Sequence, residues 1–155
     1  MILSLILLGS ASRKAVAEAR QGFLLDSSGW LAHLFGEPGE EQVTALLCGE
    51  KIGVSISTLS LVELHGRLSA LGREKEWPAL WTDYRTLFAD VIPVSEDVAQ
   101  RAIALRAASV ERLPMIDSLI AATAAEHGLT LVHRDPHLGQ LPQRLVRQTV
   151  LPGRS

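Results

Sequence analysis

The sequence predicts an α/β domain whose parallel central sheet is covered by helices on both faces. Two observations carry that expectation. Short apolar runs alternate along the chain with longer stretches whose apolar residues recur at spacings of three and four. Turn and cap residues (Gly, Ser, Asp, Pro) stand where one kind of stretch gives way to the other. That alternation is the signature of strands joined by helical crossovers. The 155 residues suffice for one domain, and 47% hydrophobic against 21% charged residues excludes a disordered chain.

Phe23-Leu24-Leu25 reads as the first strand, starting at Gly22 and ending in Asp26, with Ser27-Ser28-Gly29 opening a helix. Trp30, Leu31, Leu34 and Phe35 share one face of that helix, and Gly36 stops it. Pro38 is expected in the first turn of the next helix, whose buried stripe is Val43, Leu46 and Leu47. Ile52–Ile56 is the second strand, and Ser57 or Thr58 caps a helix carrying Leu61, Leu64 and Leu68. After a turn at Gly72, Trp77, Leu80, Trp81, Tyr84, Leu87 and Phe88 mark a further helix. Val91–Val94 is the third strand, and Ser95 caps a helix to about Ala108. Pro114 and Asp117 open an alanine-rich helix that ends at Gly128. Leu129–Val132 is the fourth strand, and Leu145–Leu151 is expected to hold a fifth.

Residues 1–21 stand apart as a leader or extra segment. Met1–Leu8 is apolar and followed by Gly9, Ser10 and Ala11, but no basic residue precedes it and it is too short to span a bilayer. The expected location is cytoplasmic, with no membrane contact. The single Cys48 excludes an intrachain disulfide, and no C-x-x-C pair offers a zinc ribbon. With 15 basic and 17 acidic residues, bulk charge does not drive nucleic-acid binding. No G-x-G-x-x-G follows the first strand, which argues against a small-molecule Rossmann enzyme.

Acids occur at one kind of place. Asp26 ends the first strand, Glu63 lies early in the helix after the second, Asp117 begins the alanine-rich helix, and Asp135 follows the fourth strand. In a parallel sheet these positions converge on the carboxyl edge, where open α/β sheets place their sites. Two unit charges 4 Å apart repel by ~4 kcal/mol at an effective dielectric of ~20. Such a cluster therefore holds protons or surrounds a divalent cation. An all-oxygen set suits Mg²⁺, with Mn²⁺ as the substitute, and such sites act on phosphodiesters. The competing explanation is local: Asp26 and Asp117 cap helices, Glu63 is solvated, and Asp135 opens a turn with Pro136. His133 and His137 are four apart, but Asp135-Pro136 between them argues against a helical metal pair.

The strings FLLDSSGWL, ISTLSLVEL and LPMIDSLIAATAAEHGLTLVHRD, in that order and spacing, resemble PIN-domain ribonucleases, specifically VapC-type toxins of bacterial toxin–antitoxin modules. The resemblance runs from about Gly22 to Leu151 and places a PIN domain at residues 22–152, with about five parallel strands. It implies a Mg²⁺-dependent endoribonuclease restrained by a cognate antitoxin. Asp26, Glu63, Asp117 and Asp135 then match the family's acids, with Asp26, Asp117 and Asp135 as metal ligands. Ser27 or Ser28 fits its small assisting hydroxyl residues, and Arg134, beside the site, is a candidate to steer a phosphate, with a surface ion pair as the alternative. Relatives often carry R-D-x-D-F where this chain has Arg134-Asp135-Pro136-His137-Leu138, so His137 replaces an acid.

Trp77, Trp81 and Tyr84 are expected to serve an antitoxin or homodimer interface, with core packing as the plainer alternative. His33 and His65 are expected at the surface or in an interface, and Arg67, Arg73, Lys75 and Arg85 are candidates for wider RNA contacts. Two other functions stay open at this point: an RNA-processing nuclease without an antitoxin, and a non-catalytic RNA- or protein-binding module.

Overall fold

In a computed structural model, which describes residues 21–153, the apolar runs form five strands. They are β1 (Gln21–Leu25), β2 (Ile52–Ser57), β3 (Val91–Ile92), β4 (Thr130–His133) and β5 (Gln148–Val150). Helices α1 (Ser27–Phe35) and α2 (Glu40–Cys48) lie between β1 and β2. Helices α3 (Thr58–Ala70) and α4 (Trp77–Leu87) lie between β2 and β3. Helices α5 (Glu96–Ala108) and α6 (Met115–Glu126) connect β3 to β4, and the short α7 (Pro136–Gly139) precedes β5. The proposed leader lies almost wholly outside the described residues. Among these, no helix is long and apolar enough to cross a membrane.

The sheet order is β3-β2-β1-β4-β5, and each neighbouring pair is parallel. Phe23 pairs with Val54 on one side, while Leu24 and Leu25 pair with Leu131 and Val132 on the other. Successive side chains on a strand point to opposite faces. Phe23 and Leu25 therefore join the core under α1 to α4, around Trp30, Leu64 and Tyr84. Leu24 and Leu131 join the core under α5 and α6, with Leu105, Ile120 and the buried alanines 121, 122 and 124. Burial on both faces is why β1 is apolar without alternation.

Local signals set the helix ends. Asp26, Ser57 and Ser95 cap α1, α3 and α5, each side chain accepting a backbone N–H from the first turn. Gly36 ends α1 in the left-handed region at φ 63°, a conformation a Cβ would strain. Strand ends shift by a residue from expectation in β1, β2 and β4, and three further differences are larger. Pro38 lies in the turn before α2, whose cap is Gly39, because the chain needs a left-handed residue there (φ 102°). The third strand stops at Ile92, before Pro93, which has no N–H for the ladder. The fifth occupies only Gln148–Val150 within the expected 145–151 stretch, paired with β4.

Candidate metal centre

β1 sits between β2 and β4, so the chain leaves it toward one side of the sheet and later returns on the other. The crevice of an open α/β sheet lies at the carboxyl ends where the order reverses in this way. Asp26 follows β1 directly, and Asp135 follows β4 with one residue between. Asp26 N–H donates to the Val132 carbonyl at 3.0 Å, which ties the two strand ends together.

Each acid is held by identifiable neighbours. Asp26 is 4% exposed, and its Oδ2 accepts from Ser28 N–H at 3.1 Å and Ser28 Oγ at 2.6 Å. Burial raises its pKa, and the two Ser28 bonds work against that rise. Ser28 Oγ also accepts from the Arg134 N–H at 3.1 Å, linking the first acid to the β4 end. Glu63 accepts from Ser27 Oγ at 2.7 Å. Burial raises its pKa, Ser27 opposes, and the charges of Asp26 and Asp135 raise it further. Both serines expected to assist the site therefore grip its carboxylates.

Asp117 is half-buried in the first turn of α6. Pro114 occupies the cap position, so this carboxylate is not engaged in capping. Burial, then the charges of Asp135, Asp26 and Glu63, push its pKa up to about 6, while His137 pulls the other way. The charges of the other three acids thus all reach Asp117. Asp26 and Asp135 do cap α1 and α7, so for them the local explanation and the shared site hold together.

The structure adds His137 to the set. Asp135-Pro136 does not block a helix but starts one, Pro136–Gly139, with proline at a first-turn position where it is tolerated. Ligand atoms of Asp117, Asp135 and His137 all lie within 4.8 Å of one another. The signal available in the sequence was the Asp-Pro-His string read as cap, first turn and returning side chain. His133 does not pair with His137. It is fully buried, its Nδ1 accepts from Asp135 N–H at 3.1 Å, and its Nε2 therefore donates to Gln148 Oε1 at 2.7 Å.

At Arg134 the structure shows the ion-pair alternative in place of phosphate steering. Its side chain is 6% exposed and pairs with Glu37, and its Nε donates to the Ser28 carbonyl at 3.1 Å. The guanidinium clamps the turn after β1 rather than facing a phosphate, because Glu37 offers it a planar partner away from water. Tyr84 corrects an expectation. It is fully buried, with its ring 5.3 Å from that of Trp30 and its hydroxyl 2.6 Å from His33 Nδ1, so it offers no surface to a partner.

His33 is likewise buried, and burial lowers its pKa. Trp77 and Trp81 stack on each other at 5.8 Å and pack against the same core while staying partly exposed. His65 is exposed, with its ring edge-on to Trp77. Arg73 pairs with Glu76 at 2.7 Å and lies over the Phe35 ring.

Buried and half-buried carboxylates that raise one another's pKa, with one imidazole among them, form a donor set suited to a divalent cation. A bound cation would offset the burial and the neighbouring carboxylate charges that now hold Asp117 near 6. The residues fit such an ion.

The family model for the PIN domain matches residues 23–143. No curated protein sequence gives a significant match. Among solved structures, the chain is similar to VapBC2 from Rickettsia felis bound to a promoter DNA fragment. That match has 16% identity and a TM-score of 0.71, and it covers 85% of this chain and 100% of that one. A toxin–antitoxin complex from Klebsiella pneumoniae is 27% identical with a TM-score of 0.56, covering 73% of this chain and 86% of that one. VapC20 from Mycobacterium tuberculosis, a toxin that cleaves the sarcin-ricin loop, is 16% identical with a TM-score of 0.60, covering 76% and 92%. The matched span contains all four acids, Ser27 and Ser28, most of β1 and the whole of β2, β3 and β4, and the chain belongs to the PIN domain family.

Proposed function

We propose that the chain is a divalent-metal-dependent endoribonuclease and the toxin of a toxin–antitoxin pair. The observation that carries this reading is the convergence of Asp26, Glu63, Asp117 and Asp135 on one sheet edge, where their charges act on one another. Asp26, Asp117 and Asp135 would hold Mg²⁺ or Mn²⁺. When bound, such an ion polarises a phosphoryl oxygen and supplies a hydroxide-like nucleophile.

The chain's own groups do the positioning. Ser28 locks Asp26 in one rotamer, and the Val132 carbonyl fixes the backbone behind it. Glu63 is held through one carboxylate oxygen by Ser27, which leaves Oε1 to take up a proton released at the site. Its raised pKa suits that exchange. The likeness to the Klebsiella toxin–antitoxin complex supports a protein antitoxin as partner, and the VapC20 likeness supports RNA as substrate. A homodimer through the partly exposed Trp77 and Trp81 belongs to the same reading, as does a cytoplasmic location.

The test is cleavage of total RNA by purified protein with Mg²⁺ or Mn²⁺, with EDTA, and with Asp117→Asn. Cleavage that disappears with chelator and with the variant supports the proposal. Equal cleavage in every arm would mean a contaminating ribonuclease. Absence of both cleavage and metal binding would move the chain to the binding-module reading.

A further inference from the structure

The His137 imidazole faces the acids rather than the solvent alone. Its Nδ1 lies 3.3 Å from Asp135 Oδ1 and 3.7 Å from Asp117 Oδ2. Donors about 2.1 Å from one cation stand ~3.0 Å apart when adjacent and ~4.2 Å apart when opposite. The spacing of Asp117, Asp135 and His137 is that of groups able to share an ion with little motion. The ring is held there by its own backbone. Asp135 Oδ1 accepts the His137 N–H at 2.7 Å, and Pro136 restricts the one residue between them. The cap that positions one acid therefore also positions the imidazole, while the side chain, 52% exposed, leaves the site open to water and substrate.

We propose, resting on the reading of this edge as a metal centre, that His137 ligates the ion through Nδ1 and turns the site's preference from Mg²⁺ toward Mn²⁺. Mg²⁺ favours oxygen donors and gives up water reluctantly. A nitrogen donor gains more from a first-row transition ion, and Mn²⁺ is the member of that series that also accepts a carboxylate-rich shell. Replacing His137 by aspartate exchanges nitrogen for oxygen at the same position and reverses the preference.

The experiment titrates Mn²⁺ into the full chain and reads the electron spin echo of the bound ion, with Mg²⁺ competition to obtain the affinity ratio. Nitrogen modulation is expected in the wild type and is lost in His137→Asp with Mn²⁺ still bound. The Mn²⁺-over-Mg²⁺ preference falls about tenfold or more, the range seen even for outer partners of metal ligands. Mn²⁺ that binds in an Asp117-dependent manner without nitrogen modulation would overturn the role of His137 and leave the metal centre standing. Modulation that persists in His137→Asp comes from another histidine and overturns it equally. Unchanged Mn²⁺ binding in Asp117→Asn would overturn the metal centre itself.

Discussion

Asp117 shows how a single carboxylate reports on the whole site. Its pKa is pushed from the usual 3.8 to about 6, first by burial and then by three neighbouring acids. In the metal-free protein the folded state therefore holds this proton more tightly than the unfolded chain does. Its contribution favours folding at acid pH and is lost as pH rises from about 4 to about 6. Asp26 and Glu63 are raised as well and act with the same sign. We expect Asp117→Asn to raise the thermal midpoint of the metal-free protein near pH 7.5 by a few degrees and to make no such gain near pH 4. A divalent ion added near neutral pH should stabilise the wild type and not the variant. Calorimetry at the two pH values, with and without ion, checks both. A variant no more stable than the wild type near pH 7.5 would mean that Asp117 is not under charge strain.

At the scale of elements, the site depends on the turn from β1 into α1 staying against the end of β4. Arg134 ties both ends of α1 to it: its N–H reaches Ser28 Oγ and its Nε the Ser28 carbonyl at the start, and its guanidinium reaches Glu37 and the Pro38 carbonyl just past the end. Removing one partner of a buried pair leaves the other charge uncompensated, at a cost of roughly 3–5 kcal/mol. Because Glu37 remains 25% exposed, Arg134→Gln should fall at the low end of that range in urea unfolding. Arg134→Lys should recover little, since an ammonium cannot reproduce the planar fork. If Arg134→Gln were neutral, the clamp would contribute nothing to the fold. Arg134 was legible in the sequence as a charge beside the site. Its partner Glu37 was not, because the pairing joins residues far apart in the chain across a loop.

At the scale of the molecule, the aromatic helix α4 serves the core first. Tyr84 lies fully buried against Trp30, Phe88 and His33, so Tyr84→Ala should destabilise the protein by about 3–5 kcal/mol, whether or not any partner is bound. Trp81→Ala should cost less, since that ring keeps part of its surface in water, and sedimentation of this variant would show whether self-association uses it. A Tyr84→Ala protein that unfolds at the wild-type urea concentration would contradict the core assignment. Periodicity placed both rings on one helix. It could not tell the buried one from the others, because that depends on Trp30 arriving from α1.

The sequence by itself determined the α/β class, the strands and helices, and the acids at their ends. Those features rest on local physics: apolar periodicity, caps such as Ser57 and Ser95, and the left-handed Gly36. Only the tertiary structure decided that β1 lies between β2 and β4, and so that Asp26 and Asp135 share a crevice. It likewise turned Arg134 toward Glu37, buried Tyr84, and set His137 beside Asp117. The reason is physical. Where a side chain points depends on what the fold places across the sheet from it, and those partners are separated in sequence by up to a hundred residues or so.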